Sequence, residues 1–201
     1  MAFDARVYRV LIASPKDVMS ERDVVVRVIQ EWNDANSVER RVALLPLRWE
    51  THTTPEFGKP QEIINRQVVD HCDLLIGVFW TRVGTATEVA ESGTLEEIER
   101  VAAQKKPVML YFSKVKQAPD EIDPEQLKRL RIFKHKIQDI AYIEHFDEQD
   151  EFRNKLTKHH TIRVKELMGS ELPNGASDKP STDIRVAFAD SRGRMLGEQF
   201  L

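Results

Sequence analysis

The segment Asp73-Leu74-Leu75-Ile76-Gly77-Val78-Phe79-Trp80 limits the folds open to this chain more than any other. It is an almost continuous apolar run, far short of the ~20 residues that span a bilayer. It also lacks the polar alternation of a strand with one wet face. Such a run fits a parallel strand covered by helices on both faces. Parallel strands need crossover connections, so helical patterns should separate the other apolar segments.

They do. Val7 to Ala13 (VYRVLIA) reads as a strand. Ser14-Pro15-Lys16-Asp17 then looks like a helix start, with Ser14 as N-cap, Pro15 in the first helical position and Asp17 as a first-turn acid. Val18, Arg22, Val25, Val28, Ile29 and Trp32 recur at helical intervals to about Asn33. Val42 to Trp49 is a second strand, whose Pro46 suggests an edge or a bulge. A loop over Glu50 to Lys59 precedes a helix over Pro60 to Asp70, and a polar loop over Thr81 to Glu91 follows the apolar run. A helix begins at Ser92 or Thr94 and runs to Lys105. Pro107 to Ser113 and Ile140 to Phe146 complete the strands, with a basic helix over Pro124 to Lys136 between them. Asp147 to Met168 forms a last helix, with Gly169 as its stop. The expected fold is a three-layer α/β domain of flavodoxin-like type over residues 6–168, with five parallel strands in the order 2-1-3-4-5.

Residues 169–182 are rich in Pro, Gly, Ser and Asp and read as a linker. In the tail, 183–201, Asp183 to Ala189 has the pattern of a short strand. Three uses are open to it: adding to a sheet edge, contacting a partner, or leading into another domain.

The chain has 201 residues, with 30 Lys plus Arg against 33 Asp plus Glu and a formal charge of −3. That length suits one good-sized domain. The balance lacks the basic excess of a dedicated nucleic-acid binder, so no direct nucleic-acid contact is expected. Met1 to Arg6 carries no apolar leader pattern, and a soluble, cytoplasmic protein is expected. The single cysteine, Cys72, excludes an internal disulfide and a Cys-based zinc site. His159-His160 has no metal-ligand spacing and reads as a solvated helix face, so no metal is expected.

In open α/β sheets, ligands bind beyond the carboxyl ends of the strands, where the strand order reverses. Four segments should converge there: Ser14 to Asp17, Trp49 to Thr54, Trp80 to Gly84, and Ser92 to Glu97. None carries a GxxxxGK[ST] phosphate loop or a GxGxxG turn. Leu95, Ile98, Val101 and Ala102 form the buried stripe of their helix, and Glu97 lies roughly 110° from its middle, in the first turn. Two uses are open to its carboxylate. It can stabilise an oxocarbenium-like sugar, or attack it, at the mouth of the crevice. Or it can close a capping box with Thr94.

The run Gly93-Thr94-x-x-Glu97-Ile98 after the third strand resembles the nucleoside 2-deoxyribosyltransferases, whose Gly-Thr-x-x-Glu motif carries the catalytic glutamate. It is also similar to Toll/interleukin-1-receptor (TIR) domains, whose enzymatic members cleave NAD with a glutamate in the equivalent helix. The opening Val10-Leu11-Ile12-Ala13-Ser14-Pro15-x-Asp17-Val18, followed by Glu21-Arg22, resembles most closely a TIR-like domain found N-terminal in bacterial signalling ATPases and defence proteins. The resemblance implies Glu97 as catalytic residue, with Ser14, Asp17, Trp80, Arg82 and Thr94 at the substrate. Trp80 would stack the base; Ser14, Asp17 and Arg82 would orient ribose and phosphate. NAD or another nucleotide would be substrate rather than cofactor, in a bacterial defence or stress effector active when assembled, through the tail or a partner protein. The alternative is a non-catalytic interaction or nucleotide-sensing module. Glu99 and Arg100 depart from the transferases' small residues, and Ser92-Gly93 stands where TIR enzymes usually have Trp-Cys.

Overall fold

The computed structural model describes residues 2–86 and 92–169. Five parallel strands form one sheet in the order β2-β1-β3-β4-β5: β1 Arg6–Ala13, β2 Val42–Leu47, β3 Leu74–Phe79, β4 Val108–Ser113 and β5 Glu144–Phe146. The helices are α1 Met19–Arg40, the single turn α2 Trp49–His52, α3 Pro60–Gln67, α4 Gly93–Ala103, α5 Pro124–Gln138 and α6 Gln149–Gly169. The expected flavodoxin-like architecture and strand order are therefore present.

The apolar run becomes β3, at the centre of the sheet and buried along its whole length. Its side chains alternate between two cores. Leu74, Ile76 and Val78 join Val25, Ile29 and Trp32 of α1 and Phe152, Leu156 and Val164 of α6. Leu75 and Phe79 join Leu95, Ile98 and Val101 of α4 and Leu130 and Phe133 of α5. The two clusters are the interfaces of a three-layer fold, with α1 and α6 on one side and α4 and α5 on the other.

Several boundaries differ from the sequence reading. α1 does not stop at Asn33 but runs to Arg40, and Arg41 closes it at φ 55°. Asn33 serves the sheet instead: its side-chain amide donates to Leu44 O at 2.8 Å and accepts from Leu44 N–H at 2.8 Å, pairing the outer edge of β2. Pro46 lies in that edge strand, where no further strand needs its missing N–H. Ser14 does not cap a helix, because Pro15 is extended at ψ 172°; a 3-10 turn at Lys16–Val18 precedes α1. The segment after β2 includes the turn α2, and β5 is only three residues long, with Ile140 and Tyr142 exposed. The linker and tail lie outside the described residues. Among the described residues, no helix is long and apolar enough to cross a membrane.

The His159-His160 pair is not a solvated face. His160 is fully buried, edge-on to Trp32 with ring centroids 6.4 Å apart. His159 Nδ1 lies 3.1 Å from the Tyr111 hydroxyl. On a helix packed against the sheet, adjacent residues point about 100° apart, so one of the pair can enter the core while its neighbour reaches its rim.

Candidate functional site

The four expected segments meet at the carboxyl ends of β1 and β3. Asp17 makes the first join. One oxygen of its carboxylate, Oδ2, accepts from Thr81 N–H at 2.9 Å, Thr81 Oγ1 at 3.0 Å and Arg82 N–H at 3.0 Å. The acid expected in a helix's first turn thus holds the loop after β3 against the end of β1. Its other oxygen, Oδ1, is buried without a hydrogen-bond partner, and so is Ser14 Oγ. Replacing Asp17 with Ala should lower the unfolding free energy by about 2 kcal/mol, because the buried Thr81 N–H loses its acceptor. Urea melts would check this, and an unchanged midpoint would mean that the clamp carries no weight.

The loop is held from above as well. Gln126 of α5 accepts through Oε1 from Val83 N–H and Gly84 N–H, both at 3.1 Å. Gly84 has φ +106°, and a side chain there would press on Ser92 and on Thr94 Oγ1 at 3.4 Å. Gly93 N–H returns to Thr85 O at 3.1 Å, so the described start of the loop folds back onto the start of α4.

Ser92 caps α4, accepting the Leu95 N–H at 3.1 Å. Thr94 is therefore inside the first turn, half-buried, and no capping box is built on it. Glu97 is free of that duty, yet it does not stand open to solvent: it is 5 % exposed. Burial pushes its carboxyl up to about 7, the nearby acids Glu50 and Glu96 push the same way, and a hydrogen bond from Gln61 and the charge of Arg22 oppose them. Gly93 admits Gln61, since a Cβ there would meet Gln61 Oε1 at 2.5 Å. Gln61 Nε2 also donates to Asn65 Oδ1 at 3.1 Å, and Asn65 donates to Glu96 Oε1 at 2.7 Å. Both acids of α4's first turns are thus tied to one face of α3.

Arg22 and Glu50 complete the surroundings. Arg22 is 2 % exposed, its guanidinium pairs with Glu50, and its Nε has no partner. Arg48 donates to Arg22 O at 2.9 Å and to Asp23 Oδ1 at 2.8 Å, while its own Nε is buried and unpartnered. Two of these residues were visible in the sequence. Arg22 interrupts an apolar helical stripe, and Glu50 falls in a segment expected at the crevice. Gln61 and Asn65 had no distinguishing signal.

The remaining candidates are placed apart. Trp80 continues the alternation of β3 onto the α1/α6 side, opposite α4, and its indole N–H donates to Val115 O at 2.8 Å. Arg82 is exposed and reaches Asp17 only through its backbone N–H. Cys72 is fully buried, and burial pushes its thiol up to about 11, so it is inert at neutral pH. Among the described residues, no cluster of His, Cys, Asp and Glu has metal-binding geometry. A desolvated carboxylate with a raised pKa beside a buried arginine can stabilise a developing positive charge, or hold and release a proton near neutrality.

A family described as a domain of unknown function, DUF4062, matches residues 9–161. No curated protein matches the chain. Among solved structures, translation elongation factor SelB from Methanococcus maripaludis aligns at 13 % identity with a TM-score of 0.46, over 89 % of this chain. The chain spans only 39 % of the length of that protein. Oxidised flavodoxin 1 from Bacillus cereus aligns at 13 % identity and a TM-score of 0.39, over 80 % of this chain and 98 % of its own.

Proposed function

The chain belongs to the DUF4062 family, and from that premise we propose that it hydrolyses the N-glycosidic bond of NAD or a related nucleotide, with Glu97 as catalytic carboxylate. One observation carries this reading: Glu97 is buried at the sheet's reversal point, released from helix capping by Ser92, and held near neutral pKa. A structural glutamate at the start of a helix has no need of burial; a carboxylate that must face a cation does.

In the proposed reaction the bond from C1′ to the base nitrogen breaks and its electron pair leaves with the base. The ribosyl cation forms beside ionised Glu97, and water adds to C1′ and releases a proton. Ser14 Oγ and Asp17 Oδ1 have unused hydrogen-bonding capacity and would hold the ribose hydroxyls. Thr94 and Arg82 would line the approach of the substrate, Arg82 toward phosphate. Trp80 is left out of the proposed reaction, because its indole packs on the α1/α6 side and donates to Val115 O. The resemblance to TIR-like proteins supports an effector role in bacterial defence or stress signalling, with self-association or a partner controlling access.

A second reading rests on the cover over Glu97. Gln61 bonds its carboxylate, which suits a nucleotide-sensing or protein-interaction module that never fires. Nicotinamide release from NAD, measured at low and high protein concentration for the wild type and Glu97→Gln, separates the two. Release that vanishes in the variant is expected, rising with concentration if assembly draws Gln61 aside. No release from NAD or from nucleosides at any concentration would leave the module.

A further inference from the structure

A second cluster lies at the same end of the sheet but on its other wing, at the carboxyl ends of β4 and β5. Lys114 follows β4, and its backbone N–H donates to Phe146 O at 2.8 Å, which fixes it beside the end of β5. Lys134 of α5 is half-buried, with Nζ 5.2 Å from the centroid of the Phe112 ring. His145 of β5 faces the same ring, centroid to centroid 6.1 Å. Phe112 is itself buried, so its ring is the floor of this arrangement and not a stacking surface.

Among the described residues, neither Lys114 nor Lys134 has an acid partner, and Glu144 is the one acid whose charge acts on His145. Glu144, next to His145, accepts from Lys155 Nζ at 3.0 Å, the Tyr142 hydroxyl at 3.3 Å and the His145 N–H at 3.0 Å. Lys155 in turn also pairs with Glu151 at 2.8 Å. Burial and the charge of Lys114 lower the pKa of Lys134; burial, Lys134 and Lys114 lower that of His145, and Glu144 opposes them only in part. The outer face of α5 adds Lys128, Arg129 and Arg131 to the field, none with a described acid partner.

We propose that Lys114, Lys134 and His145 form a binding site for a phosphate dianion, either free phosphate or the phosphate group of a small nucleotide. The two ammonium groups supply the charge and the His145 imidazole a hydrogen bond, over a floor that excludes water from one side. The site is separate from Glu97 and stands whether or not the chain is an N-glycosidase.

The test follows the His145 ring protons by NMR at pH 7.5 in full-length protein, titrated with sodium phosphate and with sodium chloride at matched ionic strength. A saturable shift with phosphate alone is expected, weakened about tenfold or more in Lys134→Met and in Lys114→Gln, and retained in Lys134→Arg and Glu97→Gln. Lys114 is exposed, so its variant reports binding even if Lys134→Met unfolds. A nucleoside 5′-monophosphate that binds more tightly than phosphate, while the nucleoside does not bind, identifies a nucleotide as the source; equal affinity identifies free phosphate. Equal shifts with chloride, or affinity unchanged in both lysine variants, would overturn the proposal.

Discussion

Glu97→Gln is expected to lower N-glycosidic activity about a thousandfold and, in the same molecule, to raise stability at pH 8 by about 3 kcal/mol. Both effects have one cause. In the folded protein the carboxyl titrates at about 7, against 4.5 for an ordinary glutamate. As pH rises, the unfolded chain releases this proton first, so the folded state loses stability from about pH 4.5 to about 7 and bears the full cost above that. The substituted amide has the same shape, keeps a hydrogen bond to Gln61 and carries no charge to desolvate. Urea melts of both proteins should therefore coincide near pH 4.5 and diverge by about 3 kcal/mol at pH 8. A difference that does not change with pH would mean that Glu97 is solvated in the folded state. The rate of the proposed reaction should rise with pH through about 7, because that reaction calls for the ionised form to stabilise the cation. The two halves fail separately: a pH-dependent gain in stability without any activity to lose leaves the buried carboxylate intact and removes the enzyme.

His160 should produce the opposite slope of similar size. Its ring is fully buried, both nitrogens lack partners, and burial lowers its pKa to about 4 from 6.5. On acidification the unfolded chain takes a proton near pH 6.5 while the folded one resists until about 4. Its contribution is complete above pH 6.5 and is lost on the way down, by about 3 kcal/mol. His160→Phe keeps an aromatic ring against Trp32 and removes the titration. Its stability relative to the wild type is expected to grow by about 3 kcal/mol between pH 7 and pH 4. If the two proteins lose stability in parallel over that range, His160 is not the acid-sensitive group. Between about 4.5 and 6.5 the Glu97 and His160 slopes oppose each other in the wild type, so each single variant exposes the slope that the other residue leaves behind.

Much of the fold was legible because burial on a regular element leaves a period in the sequence. The unbroken run of β3 required a cover on both faces, and that requirement led to crossovers, parallel strands and the reversal point. Boundaries were less legible where a side chain served another element. Asn33 looked like a helix end but pairs β2, and Asp17 looked like a first-turn acid but holds Thr81 and Arg82. The face of Trp80 was within reach, since counting by twos from Leu74 puts it opposite Phe79, on the α1/α6 side. His160 was misread because solvent exposure depends on what α6 packs against, and two adjacent histidines carry no sign of it.

From its sequence alone the chain determined the layers of the fold, the end of the sheet where the four segments meet and the helix that bears Glu97, because each follows from periodicity and chain connectivity. Tertiary structure alone decided whether that carboxylate is a cap, a solvated acid or a buried group of altered pKa. The outcome depended on Ser92 taking the cap, on Gln61 reaching past Gly93, and on Arg22 and Glu50 arriving from other elements. Desolvation and charge act through distance and dielectric, and residues far apart in sequence acquire both only when the chain has closed around them.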